Sequence, residues 1–205
     1  MRRLPRRRRA AGRGAQSAQT EYAELRKVTG RRAVTAIGRF VEAQDAGQEF
    51  EAALAEIRAG EKHGHWIWYV FPQLAGLGRS RVSQLYAIRD WDEAAEYLRH
   101  PVLFSRLGTI TTAVADQVAR GVRVDRLMGS PVDAQKLVSS LTLFAHVARA
   151  LQTDDDGRAH DVFAGTAESI LAAAASQGYA ACRHTLTYLD SLTRHGERVR
   201  GGEGG

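Results

Sequence analysis

The chain has 205 residues, enough for one domain with a proper core. Hydrophobic residues make up 44% and charged residues 25%, the ordinary range for globular proteins, and no apolar run reaches the ~18 residues of a membrane span. The single cysteine, Cys182, excludes an internal disulfide and a cysteine-based zinc site, so the expectation is a cytoplasmic globular protein without a membrane partner.

The formal charge of +6 is unevenly spread. Residues 1–32 hold 11 basic and 2 acidic side chains, whereas residues 33–205 hold 18 basic and 21 acidic. The body is slightly acidic, so nucleic acid is expected only through the tail, if at all. Arg2, Arg3 and Arg6 to Arg9 open the chain, and Gly12, Gly14 and Ser17 follow. No apolar core of a secretory signal follows the arginines. Low hydrophobicity and clustered charge predict disorder over 1–32. Three readings stand for this tail: a polyanion-binding arm, a solvated extension without a role, or an upstream stretch ahead of a true start near Val28 or Val34. The 26 arginines against 3 lysines fit the composition of a GC-rich genome.

In the body, spanning 33–193, apolar positions Ile37, Phe40 and Val41 precede a helical set of Phe50, Ala53, Leu54 and Ile57, with a break near Gln44 to Gln48 and a stop at Gly60. Residues 66–71 (Trp-Ile-Trp-Tyr-Val-Phe) read as a strand on their own, with a buried helix as the alternative. Ser80 is placed to cap a helix over 81–88, and Asp90 to cap one over 91–99. Pro101 opens a helix over about 102–120. Asp133 begins the clearest helix, to about Leu151, with apolar residues on two faces. The acidic loop Asp154 to Asp156 and Gly157 ends it. Helices over about 159–175 and 183–193 follow, with Cys182 in a helical stretch and a flexible tail over 194–205. Seven to nine helices make the fold all-α.

Two polar clusters interrupt the apolar pattern. The first runs from Lys62, His63, Gly64 and His65 through Trp66 and Trp68 to Gln73 and Ser80. An amine, imidazoles and an amide among aromatic rings suit a concave site that excludes water and orients a ligand. Core packing of the aromatics, with Lys62 at the domain edge, explains the same residues without a ligand. His63 and His65 lack a third ligand at helical spacing, so no metal is expected. The second cluster is Asp133, Lys136, Ser139 and Ser140. Asp133, Lys136 and Ser140 share a helix face. A favourable charge at the helix start and a local ion pair account for part of it. A buried lysine and serines, however, must be paired or line a polar cavity. Signatures of dinucleotide, P-loop, serine hydrolase and zinc peptidase sites are absent.

The stretch Lys62, His65 to Tyr69, Phe71 to Leu74, Gly76 to Gly78 and Ser80, followed by Glu93-Ala94, Tyr97-Leu98, His100 to Leu103, Leu107, Asp133, Lys136-Leu137, Ser139 to Phe144 and Thr185-Leu186, resembles a bacterial family known as domain of unknown function 1810. The resemblance covers about 36–192. This chain departs from the pattern at Gly64, where serine is usual, at Phe104, where glycine is usual, and before Thr185. The resemblance implies a compact all-α fold, and therefore a helix rather than a strand at 66–71. Members are often labelled calpastatin, a name that nothing in these residues supports, and the family implies no settled activity.

Two functions compete on these residues. One is a small-molecule site, open to a hydrolytic reaction, in which Lys62 and Lys136 meet an anionic group and Trp66 or Trp68 stacks on a ring, as for a nucleotide- or ADP-ribose-like compound. His65 or His100 is then the acid/base candidate. Gln73, Ser80, Asp133, Ser139 and Ser140 complete the binding set, with no cofactor. The other is a non-catalytic protein-interaction module whose aromatic motif is core. Solvent access separates them: a cavity shared by the two clusters favours the first.

Removing residues 1–32 is expected to leave the melting temperature within a few degrees and to abolish any salt-sensitive retention on DNA or RNA. Retention that survives the deletion places a basic surface on the body instead.

Overall fold

The computed structural model describes residues 36–151 and 157–201. The expectations for the tail at 1–32 and for the acidic loop at 154–156 fall outside the described residues. The chain divides into a unit ending at Val34 and a main unit from Thr35, which holds every described helix.

Helix α1 (Gly38–Asp45) passes through a 3-10 turn (Ala46–Gln48) into α2 (Glu49–Ala59). The turn is made by two consecutive left-handed residues, Gly47 and Gln48, at φ 61° and 64°. Gly60, at φ 93°, closes α2. A loop then leads to the one-turn helix α3 (Ile67–Val70). The strand read from residues 66–71 alone is therefore corrected. The amides of Val70 and Phe71 donate to the carbonyls of Trp66 and Ile67, four residues back. Trp66, Ile67, Val70 and Phe71 are the buried members, which is helical spacing; a strand would have buried 66, 68 and 70 together.

Ser80 caps α4 (Arg81–Leu85), accepting the amide of Ser83. This helix stops short of the expected 88 because Ile88 forms a parallel bridge with Leu74. Asp90 caps α5 (Trp91–Arg99), and His100 caps α6 (Pro101–Ala119), with proline in its first turn. After the short α7 (Val124–Leu127), Ser130 caps α8 (Pro131–Ala150), which starts two residues before the Asp133 expected from sequence. Helices α9 (Gly157–Ser176) and α10 (Arg183–Gly201) follow, and the helical backbone of α10 runs past the boundary expected at 193. The fold is all-α, with one isolated β-bridge among the described residues. None of the described helices is long and apolar enough to cross a membrane.

Helix α8 is the centre. It packs against α3, α5, α7, α9 and α10, and almost every side chain from Leu137 to Ala148 is buried. This is the outcome of the two apolar faces seen in its sequence. Helix α6 packs against α2, α5 and α9. Phe104 on α6 fills that contact: its ring stacks on His160 of α9 at 4.5 Å and meets Phe163 edge-on at 6.0 Å. The large Phe104 side chain is thus used in helix packing.

A buried ion pair ties the first helix to the middle of the chain. Glu93, with a side chain 1% exposed, pairs with Arg39 at 2.6 Å. Its other oxygen accepts the backbone amide of Arg89 at 2.7 Å. Arg39 also donates to the carbonyls of Leu85 and Ala87, so one arginine fixes α1 against the turn before α5. Substituting Glu93 by alanine takes the carboxylate from the half-buried Arg39 guanidinium and leaves the Arg89 amide without its acceptor. A loss of about 1–3 kcal/mol of stability is expected, read as a lower denaturant midpoint with an unchanged slope.

Candidate functional site

The loop from Gly60 to Trp66 is shaped by one carboxylate. Glu56 accepts the amides of His63 and Gly64, both at 2.9 Å, and the indole N–H of Trp66 at 2.7 Å. Burial would raise its pKa, but the hydrogen bonds from Gly64, His63 and Trp66 outweigh that and hold it below the ordinary carboxylate value. The Trp66 ring uses the space that Gly64 leaves: a Cβ there would lie 2.7 Å from it, so a larger residue in this chain would have to displace the indole.

The same loop is pinned to the approach of α8. The Lys62 amide donates to the carbonyl of Leu127 at 2.8 Å. Gly129, at φ 71°, lets the backbones meet; a Cβ there would stand 2.5 Å from the Lys62 carbonyl oxygen. The Lys62 side chain then runs inward. Its ammonium donates to the Gly64 carbonyl at 2.6 Å and pairs with Asp133 Oδ2 at 2.6 Å. Asp133 Oδ1 takes Lys136 at 2.8 Å. Each ammonium also faces a ring, Lys62 over Trp66 at 5.2 Å and Lys136 over Trp68 at 4.6 Å. The two clusters, about seventy residues apart in sequence, meet on this carboxylate.

Beside the junction lies a cleft of about 540 Å³. Of the expected site residues, Trp68, Gln73, Ser80, Lys136 and Ser139 line it. Lys62 and Trp66 are buried behind it, and Asp133 holds Lys136 from the side. Ser140 is fully buried, outside the lining, with no partner for its hydroxyl among the described residues. The two acid/base candidates are not brought to the cleft. His65 is exposed on the loop before α3. His100 spends its Nδ1 on the amide of Leu103, at 3.4 Å, as the cap of α6.

Sequence reasoning missed the far wall, supplied by Arg79, Tyr179, Cys182 and Arg183. Cys182, expected within a helix, instead precedes α10, its carbonyl accepting the amide of Leu186. Burial would raise the thiol's pKa, but hydrogen bonds from Ser139, Thr185 and His184 more than offset this and leave it below the ordinary thiol value. The available signal was positional: Gly178 and the polar start of α10 mark a turn returning to α8. Arg79, Lys136 and Arg183 give the lining three cations, and among the described lining residues there is no carboxylate. Arg79 and Arg183 are exposed and make no ion pair among the described residues.

Burial would raise the Asp133 carboxyl, but Lys136 and Lys62 overcome this and lower it. A depressed folded-state pKa contributes stability at neutral pH that is lost as pH falls below the ordinary value of about 4. Asp133→Asn is therefore expected to unfold more easily than the parent at pH 7, with the difference narrowing below about pH 4. Thermal melts across that range check it.

No curated protein matches the chain. A solved structure does: the conserved hypothetical protein Rv1873 from Mycobacterium tuberculosis, 35% identical, covering 74% of this chain and 94% of that one, with a TM-score of 0.57. The family model described as "Protein of unknown function (DUF1810)" matches residues 34–169, which include the Lys62 loop, the Trp66–Phe71 turn and all of α8. The chain thus belongs to the DUF1810 family.

Proposed function

We propose that the cleft between α4, α8 and the start of α10 binds a small anionic molecule carrying a planar ring, of the nucleotide or ADP-ribose kind. The observation that carries this reading is the charge of the wall: three cations and no carboxylate among the described lining residues, in a body that is slightly acidic. Phosphate oxygens accept what such a wall donates, from the forked guanidinium groups of Arg79 and Arg183 and the ammonium of Lys136. The Ser80 and Ser83 hydroxyls, whose protons are donated within the cap of α4, add polar surface rather than donors. Trp68 and Tyr179 offer apolar surface for a ring. Asp133 leaves Lys136 a net donor, because one carboxylate is shared between two ammonium groups.

The reading is of binding. With His65 exposed elsewhere and His100 used as a helix cap, the described lining has no histidine to move a proton. A hydrolytic role would need its acid or base from another group.

Cys182 makes the test direct, since it lines the cleft and is the chain's one thiol. ADP-ribose and ADP are expected to slow its alkylation by iodoacetamide in a saturable way, and inorganic phosphate to do so more weakly. In Arg79→Ala/Arg183→Ala the protecting concentration should rise about tenfold, the equivalent of ~1.4 kcal/mol. Alkylation rates indifferent to every anion, or protection unchanged in the double variant, end the proposal.

A further inference from the structure

A second pocket, of about 560 Å³, is framed by the start of α5, the end of α8 and the middle of α10. Its walls are aromatic. The rings of Trp91 and His146 meet edge to face, 6.1 Å apart at 84°. The Tyr188 hydroxyl accepts the backbone amide of Trp91 at 2.7 Å, which holds α10 against the start of α5. Leu189 is buried at the base, and Leu192 stands half-exposed at the lip.

Asp90 and Asp92 flank Trp91 at the rim, and among the described residues no lysine or arginine lines the pocket. Asp90 spends Oδ1 on the amide of Glu93 as the cap of α5. Asp92 is exposed and carries no hydrogen bond or ion pair among the described residues. The nearby cation, Arg89, is turned to Glu93. The field of the two carboxylates reaches into the pocket. Burial pushes the Tyr188 phenol up and the Trp91 amide draws it down, while Asp90 and Asp92 push it up further.

Aromatic faces beside carboxylates, with no cation among the described lining residues, complement an organic cation. The form of the site selects among cations. A guanidinium is planar and weakly hydrated; it can lie on an indole or imidazole face and still donate from its edge to a carboxylate. An ammonium is compact and strongly hydrated, and gains less from a half-open pocket. We propose that this pocket takes the guanidinium of an arginine side chain carried on a peptide, stacked at Trp91 and directed to Asp92, with its methylene stem along Leu192. A peptide-borne arginine is favoured over the free amino acid because the latter brings its own carboxylate into the field of Asp90 and Asp92. The site is distinct from the anion cleft, shares no lining residue with it, and stands or falls independently.

The test is a titration with Nα-acetyl-arginine amide at constant ionic strength, followed through the indole N–H resonance of Trp91 in 15N-labelled protein. A saturable shift is expected. Nα-acetyl-lysine amide should bind about fivefold more weakly, and so should free arginine. Asp92→Asn, at an exposed position in the first turn of α5, should weaken the arginine amide by about fivefold while lowering the melting temperature by no more than a few degrees. Trp91→Leu, read by calorimetry, should abolish binding. If that variant fails to fold, Asp92→Asn decides. A shift that does not saturate, equal binding of the lysine amide, tighter binding of free arginine, or an Asp92→Asn variant that binds as the parent does overturns the proposal.

Discussion

The Asp133 carboxylate is the interaction on which the candidate site depends. It sits at the start of a helix, where its charge is favoured by the unpaired amides of the first turn. It is close enough to Lys62 and Lys136 to hold both, at 2.6 and 2.8 Å. Lys62 is a buried cation, 8% exposed, and would be costly without a partner. Once Asp133 supplies one, the loop that Glu56 shapes must lie against the start of α8. Trp66 and Trp68 are then committed, each taking one ammonium against its ring. The cleft is what remains between this fixed corner and the turn that enters α10.

The arrangement also divides labour between similar residues. Lys62 satisfies its three donor directions within the protein, through the Gly64 carbonyl, Asp133 and the Trp66 face. Lys136 is half-buried, shares the same carboxylate and faces the cleft. Trp66 is core, whereas Trp68, two residues on, lies along the cleft wall. A list of residues in a motif does not separate these roles, because burial decides them.

The same logic separates the legible parts of the sequence from the rest. Helices with strong local signals came out near their true limits: Asp90 before Trp91, Pro101 at the start of α6, Gly60 after α2. These signals are local chemistry, a side-chain oxygen for an orphan amide or a residue free to turn left-handed. The start of α8 was misplaced because Asp133 resembles a cap, when Ser130 is the cap and Asp133 donates its amide to it. The short run 66–71 gave the wrong element on its own residues, since six apolar residues carry no usable period. That the two lysine clusters belong together could be argued from the cost of burying polar groups separately. The far wall could not be, because Arg79 and Arg183 are exposed charged residues with nothing local to set them apart. For the histidines, sequence shows that an imidazole is present, but neither that His100 caps α6 nor that His65 lies outside the cleft lining.

The close approach at Gly129 ties the cleft to the whole stretch of chain that precedes it. Lys62 and the start of α8 bracket a segment that contains α3 to α7. Until that segment closes, neither the Lys62 amide nor its ammonium has its partner across the junction. Closing so long a loop costs entropy that no single local contact returns. Helices α5 and α6 can form early on local contacts, whereas the corner that shapes the cleft depends on contacts remote in sequence. The cleft therefore rests on contacts remote in sequence, and no fragment ending before Gly129 can contain it.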